Sequence, residues 1–159
     1  MSKTIMVDQE KCTGCRLCEL VCSVNKEGAA NPARARIKVI KWETEGFYLP
    51  MFCQHCDEPV CETVCPVNGV SRDDGTGRVS IDQDLCIGCR SCVSACPMGG
   101  VGFDSKEGEV LRCDQCGGDP TCVKFCHTKA LQYVAPEKIQ PKRMRAAAEK
   151  LYRTYHGGD

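Results

Sequence analysis

Apolar residues in this chain alternate with polar ones only in short bursts, and acidic or glycine-rich turns separate the bursts. Thr4 to Val7 reads as a strand and Ala130 to Val134 as another, so the two can pair and close the fold. Arg36 to Trp42 and Phe47 to Leu49 flank the turn Glu-Thr-Glu-Gly and predict a hairpin. Val70 to Arg72 and Arg78 to Asp82 flank Asp-Asp-Gly-Thr-Gly, and Val101 to Phe103 and Glu109 to Leu111 flank Ser-Lys-Glu-Gly, which predicts two more. After Val134 the composition turns to a linker, APEKIQP. Pro141 suits the first turn of a helix in which Met144, Ala148, Leu151 and Tyr155 share one face, ringed by Lys142, Arg143, Arg145, Lys150 and Arg153. His156, Gly157 and Gly158 end it. The pattern is that of an α+β fold of small antiparallel hairpins and short helices, with a helix at the C-terminus. No run of about 18 apolar residues occurs, so nothing in the pattern predicts a membrane span.

Alternation does not explain the 16 cysteines, which fall into four groups of four. Asp82 to Pro97 reads DQDLCIGCRSCVSACP, a C-x2-C-x2-C-x3-C-P run. Cys86, Cys89 and Cys92 are close enough in sequence to take three corners of one 4Fe-4S cube, while Cys96, one helical turn on, points toward a second. Thiolates bind iron because they are soft, anionic ligands, and a tight loop must fold over the cube between them. Gly88 suits that loop because it lets the backbone approach the cluster and adopt positive φ. Pro97 stops the short helix.

The same stretch repeats at Asp8 to Ser23, DQEKCTGCRLCELVCS, with Cys12, Cys15, Cys18 and Cys22 in step. A second pair of groups widens the middle gap and places a proline in it: Cys53, Cys56, Cys61 and Cys65 around Pro59, and Cys113, Cys116, Cys122 and Cys126 around Pro120. The two kinds alternate along the chain.

Composition sharpens this picture. With one tryptophan, four tyrosines and four phenylalanines in 159 residues, the chain is poor in core-forming side chains, so clusters should organise its interior. A disulfide scaffold would suit a small secreted chain, but MSKTIMVDQEKC has neither an apolar signal core nor twin arginines, and a reducing cytoplasm is expected. The 21 basic and 21 acidic residues balance, leaving no basic footprint for nucleic acid. Four oxidised clusters with their thiolates would bring the loaded protein to about −8. Structural zinc joins two separated C-x2-C knuckles, whereas here the four cysteines of a group crowd together, twice, in a repeat. His55 and His127 are read as non-ligands, because the cysteines already fill four cubes. Trp42 and Tyr48 are read as hairpin packing. Lys11, Arg16, Arg90, Arg112 and Lys124 lie beside ligands, where positive charge favours the reduced, more negative cluster.

FCQHCDEPVCETVCPVNGV, GRVSIDQDLCIGCRSCVSACPMG and LRCDQCGGDPTCVKFCHTKAL resemble the second, third and fourth groups of the four-cluster ferredoxin subunits found beside molybdenum and tungsten oxidoreductases. The resemblance covers roughly residues 4 to 134, and a ladder of this spacing is specific. It departs from the family pattern at Ser23 and His127, where a proline usually follows the last cysteine of a group. The resemblance implies four 4Fe-4S clusters in a line. Their ligands would be Cys12, Cys15 and Cys18 with Cys126; Cys113, Cys116 and Cys122 with Cys22; Cys53, Cys56 and Cys61 with Cys96; and Cys86, Cys89 and Cys92 with Cys65. Spacing alone supports ligand sharing but not which groups pair.

The implied architecture is a polyferredoxin domain over residues 1–135, built as two ferredoxin-like lobes about a pseudo-twofold axis. One lobe is 1–30 with 105–135, the other 50–104, with 31–49 as a connecting hairpin. Residues 136–159 would be a linker and docking helix, for a partner subunit or for another copy in an open head-to-tail chain. The implied role is non-catalytic: single electrons pass between a molybdenum- or tungsten-pterin subunit, with aldehyde oxidation by a tungsten enzyme the leading expectation, and a flavin/NAD or ferredoxin partner. Formate dehydrogenase, hydrogenase and aromatic acyl-CoA reductase complexes are alternatives, as are a free polyferredoxin and a non-redox metal-stabilised module.

Overall fold

The computed structural model describes residues 3–135 and, alone in the tail, Ala148, which is helical and exposed. The rest of the expected C-terminal helix lies outside the described residues. The elements run β1 (Thr4–Val7), α1 (Leu17–Glu27), β2 (Ile37–Trp42), β3 (Phe47–Phe52), α2 (Val60–Thr63), β4 (Val70–Arg72), β5 (Val79–Ile81), α3 (Ser91–Ser94), β6 (Val101–Asp104), β7 (Glu109–Arg112), α4 (Thr121–Lys124) and β8 (Leu131–Val134). This is a small α+β fold of short antiparallel hairpins and few helices.

The strands pair two by two, antiparallel: β1 with β8, β2 with β3, β4 with β5 and β6 with β7. Thr4 stands opposite Val134 and Val7 opposite Leu131, so the ends of the cysteine ladder are tied together. β3 runs past Leu49 through Pro50 to Phe52. Pro50 lies opposite Val39, whose amide donates to the buried Glu19 carboxylate at 2.6 Å instead of to the ladder, so the proline costs no strand hydrogen bond. Trp42 and Phe47 close the hairpin tip with ring centroids 5.3 Å apart. Tyr48 lies over the loop of the first cysteine group, its ring where a Cβ on Gly14 would sit.

A proline directly after a group excludes a helix that continues through it, and one group without it uses that freedom. α3 ends before Cys96 and Pro97, after four residues, whereas α1, with Ser23 in that place, runs for 11 and ends on Gly28 at φ 71°. The Ser23 hydroxyl donates to the Leu20 carbonyl at 2.8 Å and accepts the Asn31 amide at 3.1 Å, tying down the chain after the helix. His127 brings no such extension, because α4 already ends at Lys124.

Apolar residues gather in two places. Ile5, Ala35, Ile37, Phe52 and Leu131 form one core with Cys22 and Cys122, and Val70, Val79, Val101 and Val110 form another with Cys92. β7 stays with β6, and the chain crosses back from the second core toward the first after Arg112. Arg34 links distant segments: its guanidinium reaches Glu27 at 2.7 Å, Asp104 at 2.5 Å and Glu109 at 2.6 Å. Burial acts to raise the Glu27 carboxyl, and Arg36 with Arg34 override it and hold it below the usual carboxylate range. The Lys106 amide, against a smaller opposing effect of burial, and Arg34 hold Asp104 low as well.

Arg34→Ala is therefore expected to cost about 1–3 kcal/mol, read as a fall of several degrees in the anaerobic melting temperature. A carboxylate with a lowered folded pKa contributes stability above its unfolded pKa and loses it as pH falls through the folded one. The gap between variant and parent should thus be full above about pH 5 and close on acidification.

Candidate metal centres

All 16 cysteines are free thiols, and the fold gathers members of different groups. Cys22, the last cysteine of the first group, lines one cavity with Cys113, Cys116 and Cys122 of the fourth. Cys65, the last of the second group, lines another with Cys86, Cys89 and Cys92 of the third. For the remaining thiols the grouping is less direct. Cys18, near Cys12 and Cys15, packs on the same core as Cys126, and Cys61 on the same core as Cys96.

The loops that present these thiols share one backbone device. The residue before the second cysteine of each group has positive φ: Gly14 at 66°, His55 at 50°, Gly88 at 67° and Gln115 at 55°. Glycine adopts this left-handed conformation freely; a side chain there must be held. His55 is held by the Val79 amide, which donates to its Nδ1 at 2.9 Å, and Gln115 by the Tyr133 hydroxyl, which donates to its Oε1 at 3.2 Å. Both side chains are buried. The sequence pattern sets His55 aside as a non-ligand and does not foresee this anchoring role. The aligned third positions of the four C-x2-C turns carry the signal.

Backbone amides point at the sulfurs. Arg36 donates to Cys22 at 3.3 Å, Gly69 to Cys65 at 3.2 Å, Gln115 to Cys113 at 3.4 Å and Leu131 to Cys126 at 3.4 Å. Asn25 adds a side-chain contact to Cys116 at 3.5 Å. Burial first, with the charges of Glu19, Cys15 and Cys12, pushes Cys18 up to about 12, and burial pushes Cys113 up to about 12 as well. Burial drives Cys122 higher still. Such thiols keep their protons at neutral pH until a cation displaces them, so loading releases protons. At the exposed edge, hydrogen bonding to Ser91 lowers Cys89.

Among the described residues, no group of three or more His, Cys, Asp or Glu is gathered tightly enough for a single metal ion. Eight of the thiols instead line two cavities, with N–H donors aimed at several of them. Soft anionic ligands spread around a space, with donors to sulfur, fit a polynuclear iron-sulfide cluster. Such a group, when bound, supplies one-electron chemistry.

Fold and donor set together define a ferredoxin-type iron-sulfur protein. The family model described as "4Fe-4S dicluster domain" matches residues 44–135, and "4Fe-4S binding domain" matches residues 5–25. The chain belongs to the 4Fe-4S dicluster family. It is 41% identical over 123 residues to the aliphatic sulfonate oxidoreductase polyferredoxin-like subunit of Pyrococcus furiosus, covering 77% of this chain and 70% of that one. It is 33% identical to one of the chains of the anaerobic dimethyl sulfoxide reductase of Escherichia coli K12, over 89% of this chain and 78% of the relative. A solved structure described as the active site complex BamBC of benzoyl coenzyme A reductase with zinc superposes at TM-score 0.51 and 29% identity, over 99% and 93% of the two chains. Among the described residues no helix is long and apolar enough to cross a membrane.

Proposed function

We propose that this chain is a non-catalytic electron-transfer subunit that relays single electrons through four 4Fe-4S clusters. Cys12, Cys15 and Cys18 with Cys126 hold the first, and Cys113, Cys116 and Cys122 with Cys22 the next. Cys53, Cys56 and Cys61 with Cys96 hold the third, and Cys86, Cys89 and Cys92 with Cys65 the fourth. The observation that carries the reading is the crossing of Cys22 and Cys65 into cavities lined by three thiols of another group. A fourth ligand lent in this way keeps two clusters close, and electron tunnelling falls steeply with distance. The protein breaks no bond itself; it sets potential through burial, charge and hydrogen bonds to sulfur.

The partner is a catalytic oxidoreductase subunit, and the named relatives favour a molybdenum- or tungsten-pterin enzyme or an aromatic acyl-CoA reductase. Aldehyde oxidation by a tungsten enzyme rests on the resemblance alone. A flavin- or ferredoxin-linked subunit exchanges the electrons at the other end, and the two lobes sit about a pseudo-twofold axis. Cys22→Ser and Cys113→Ser, purified anaerobically, are expected to perturb the same EPR signal, with roughly tenfold or larger changes in that cluster's reduction equilibrium. Disturbance of two different signals would remove the assignment. Affinity capture of the tagged chain should bring down a pterin-bearing subunit, identified by its metal; a chain that purifies alone with full iron would be a free polyferredoxin.

A further inference from the structure

Of the five cations that lie beside ligand cysteines in the sequence, four are already engaged at the surface. Lys11 pairs with Asp8 at 2.6 Å, Arg16 with Glu19 at 2.7 Å and Lys124 with Asp119. Arg90 stacks on the Phe103 ring, 4.3 Å from its centroid. Arg112 differs from all of them. At 6% exposure it is buried at the end of β7 and turned toward sulfur: Nη1 lies 3.8 Å from Cys53 Sγ, and Cys61 and Cys92 lie within range of its charge. Its Nε and Nη2 are buried and have no hydrogen-bond partner among the described residues.

A buried cation without a carboxylate and with orphaned N–H groups is costly unless an anion completes it. His55 shows the same incompleteness beside it. Its Nδ1 accepts from Val79, which puts the ring proton on Nε2, and Nε2 is also buried without a partner. The Arg112 donors thus lie at the thiols of the second group, where a cluster carrying negative thiolates and sulfides would complete them, and His55, in the loop between Cys53 and Cys56, adds a second incomplete donor. The cavities of Cys22 and Cys65 are lined by cations too, but each of these is already partnered: Lys26 by Asp114, Arg36 by Glu27 and Arg90 by the Phe103 ring.

We propose that Arg112 sets the reduction potential of the cluster held by Cys53, Cys56, Cys61 and Cys96, making it the most easily reduced of the four. The step is the gain of one electron from a neighbouring cluster, which is oxidised; Arg112 is charged throughout, so no proton moves and no bond breaks. Positive charge held out of solvent favours the more negative state, and burial keeps salt from screening it. The relay would then have a low point inside the chain, where an electron waits for the acceptor. This inference rests on the reading that the second group holds a cluster.

The test is an EPR-monitored redox titration of anaerobic wild type, Arg112→Gln and Arg112→Lys, with iron counted in each. In Arg112→Gln one midpoint is expected to fall by at least tenfold in the reduction equilibrium, which is about 59 mV or more for one electron, while iron stays at the wild-type level. Arg112→Lys, which keeps the charge, should recover most of the shift. Four unchanged midpoints in fully loaded Arg112→Gln would overturn the role of Arg112 and leave the cluster reading intact; wild type without iron would overturn both. A second measurement needs no variant. Protein labelled with 15N in its arginine guanidinium groups should show nitrogen hyperfine coupling on the first cluster to be reduced, and its absence would overturn the contact.

Discussion

Stripping iron from the protein with a chelator, without oxygen and with reductant present, is expected to unfold it. The two-by-two strand pairs that make up the sheet structure are marginal on their own. The buried cores are small, and Cys22, Cys92 and Cys122 are part of them. With the ligands released, the cavities lined by Cys22, Cys113, Cys116 and Cys122, and by Cys65, Cys86, Cys89 and Cys92, lose the body that bridges distant segments. Metal binding is then folding free energy, and the loss should exceed about 5 kcal/mol, the low end of a domain's whole stability. Far-UV circular dichroism and limited proteolysis read the outcome. A chelated chain that keeps its strand signal and still melts cooperatively would show that side-chain packing suffices.

Gly100→Ala should have the next largest effect, and it is local. A Cβ at Gly100 would meet the Phe52 carbonyl oxygen at 2.5 Å, the Phe52 carbonyl carbon at 2.6 Å and the Cys53 nitrogen at 2.7 Å, all backbone atoms. The strand entering the second group can make room only by carrying Cys53 with it. The variant is expected to lose one cluster, about four irons per chain, and to be destabilised by several kcal/mol. Two equivalent positions provide the control. Gly69 follows the second group at the same offset, where a Cβ would find the Asp82 carbonyl oxygen and the Leu85 Cβ no nearer than 3.5 Å, and the fourth group already carries Ala130 there. Gly69→Ala should keep full iron. If both variants load normally, the close approach of Gly100 to Cys53 does not position a ligand.

Much of this was open to a reader of the sequence, for physical reasons. The hairpins were legible because alternation stops at Glu-Thr-Glu-Gly, Asp-Asp-Gly-Thr-Gly and Ser-Lys-Glu-Gly, and the pairing of β1 with β8 followed from two strands left over at the ends. Cysteine spacing located the candidate ligands but could not say which groups meet, because that depends on chain reversal between them. The full length of α1 was hidden in one substitution, Ser23 for proline, whose effect depends on Gly28 ending the helix a turn later. Nothing in the pattern singles out Glu19, yet it is 1% exposed and bridges α1 to β2 through the Val39 amide. The difference between Arg112 and the other four cations could not be read at all. Each sits within two residues of a cysteine in sequence, and only burial and the carboxylate or ring that partners the others set it apart.

The central claim is that the 16 thiols hold four clusters in one relay. Native mass spectrometry of the anaerobically purified chain, with iron and acid-labile sulfide measured on the same sample, tests it most directly. The account predicts a mass above that of the bare polypeptide by four Fe4S4 units, with about sixteen irons and as many sulfides per chain. A chain carrying zinc without sulfide, or one that saturates at two clusters with half its thiols still free to alkylation, would contradict it.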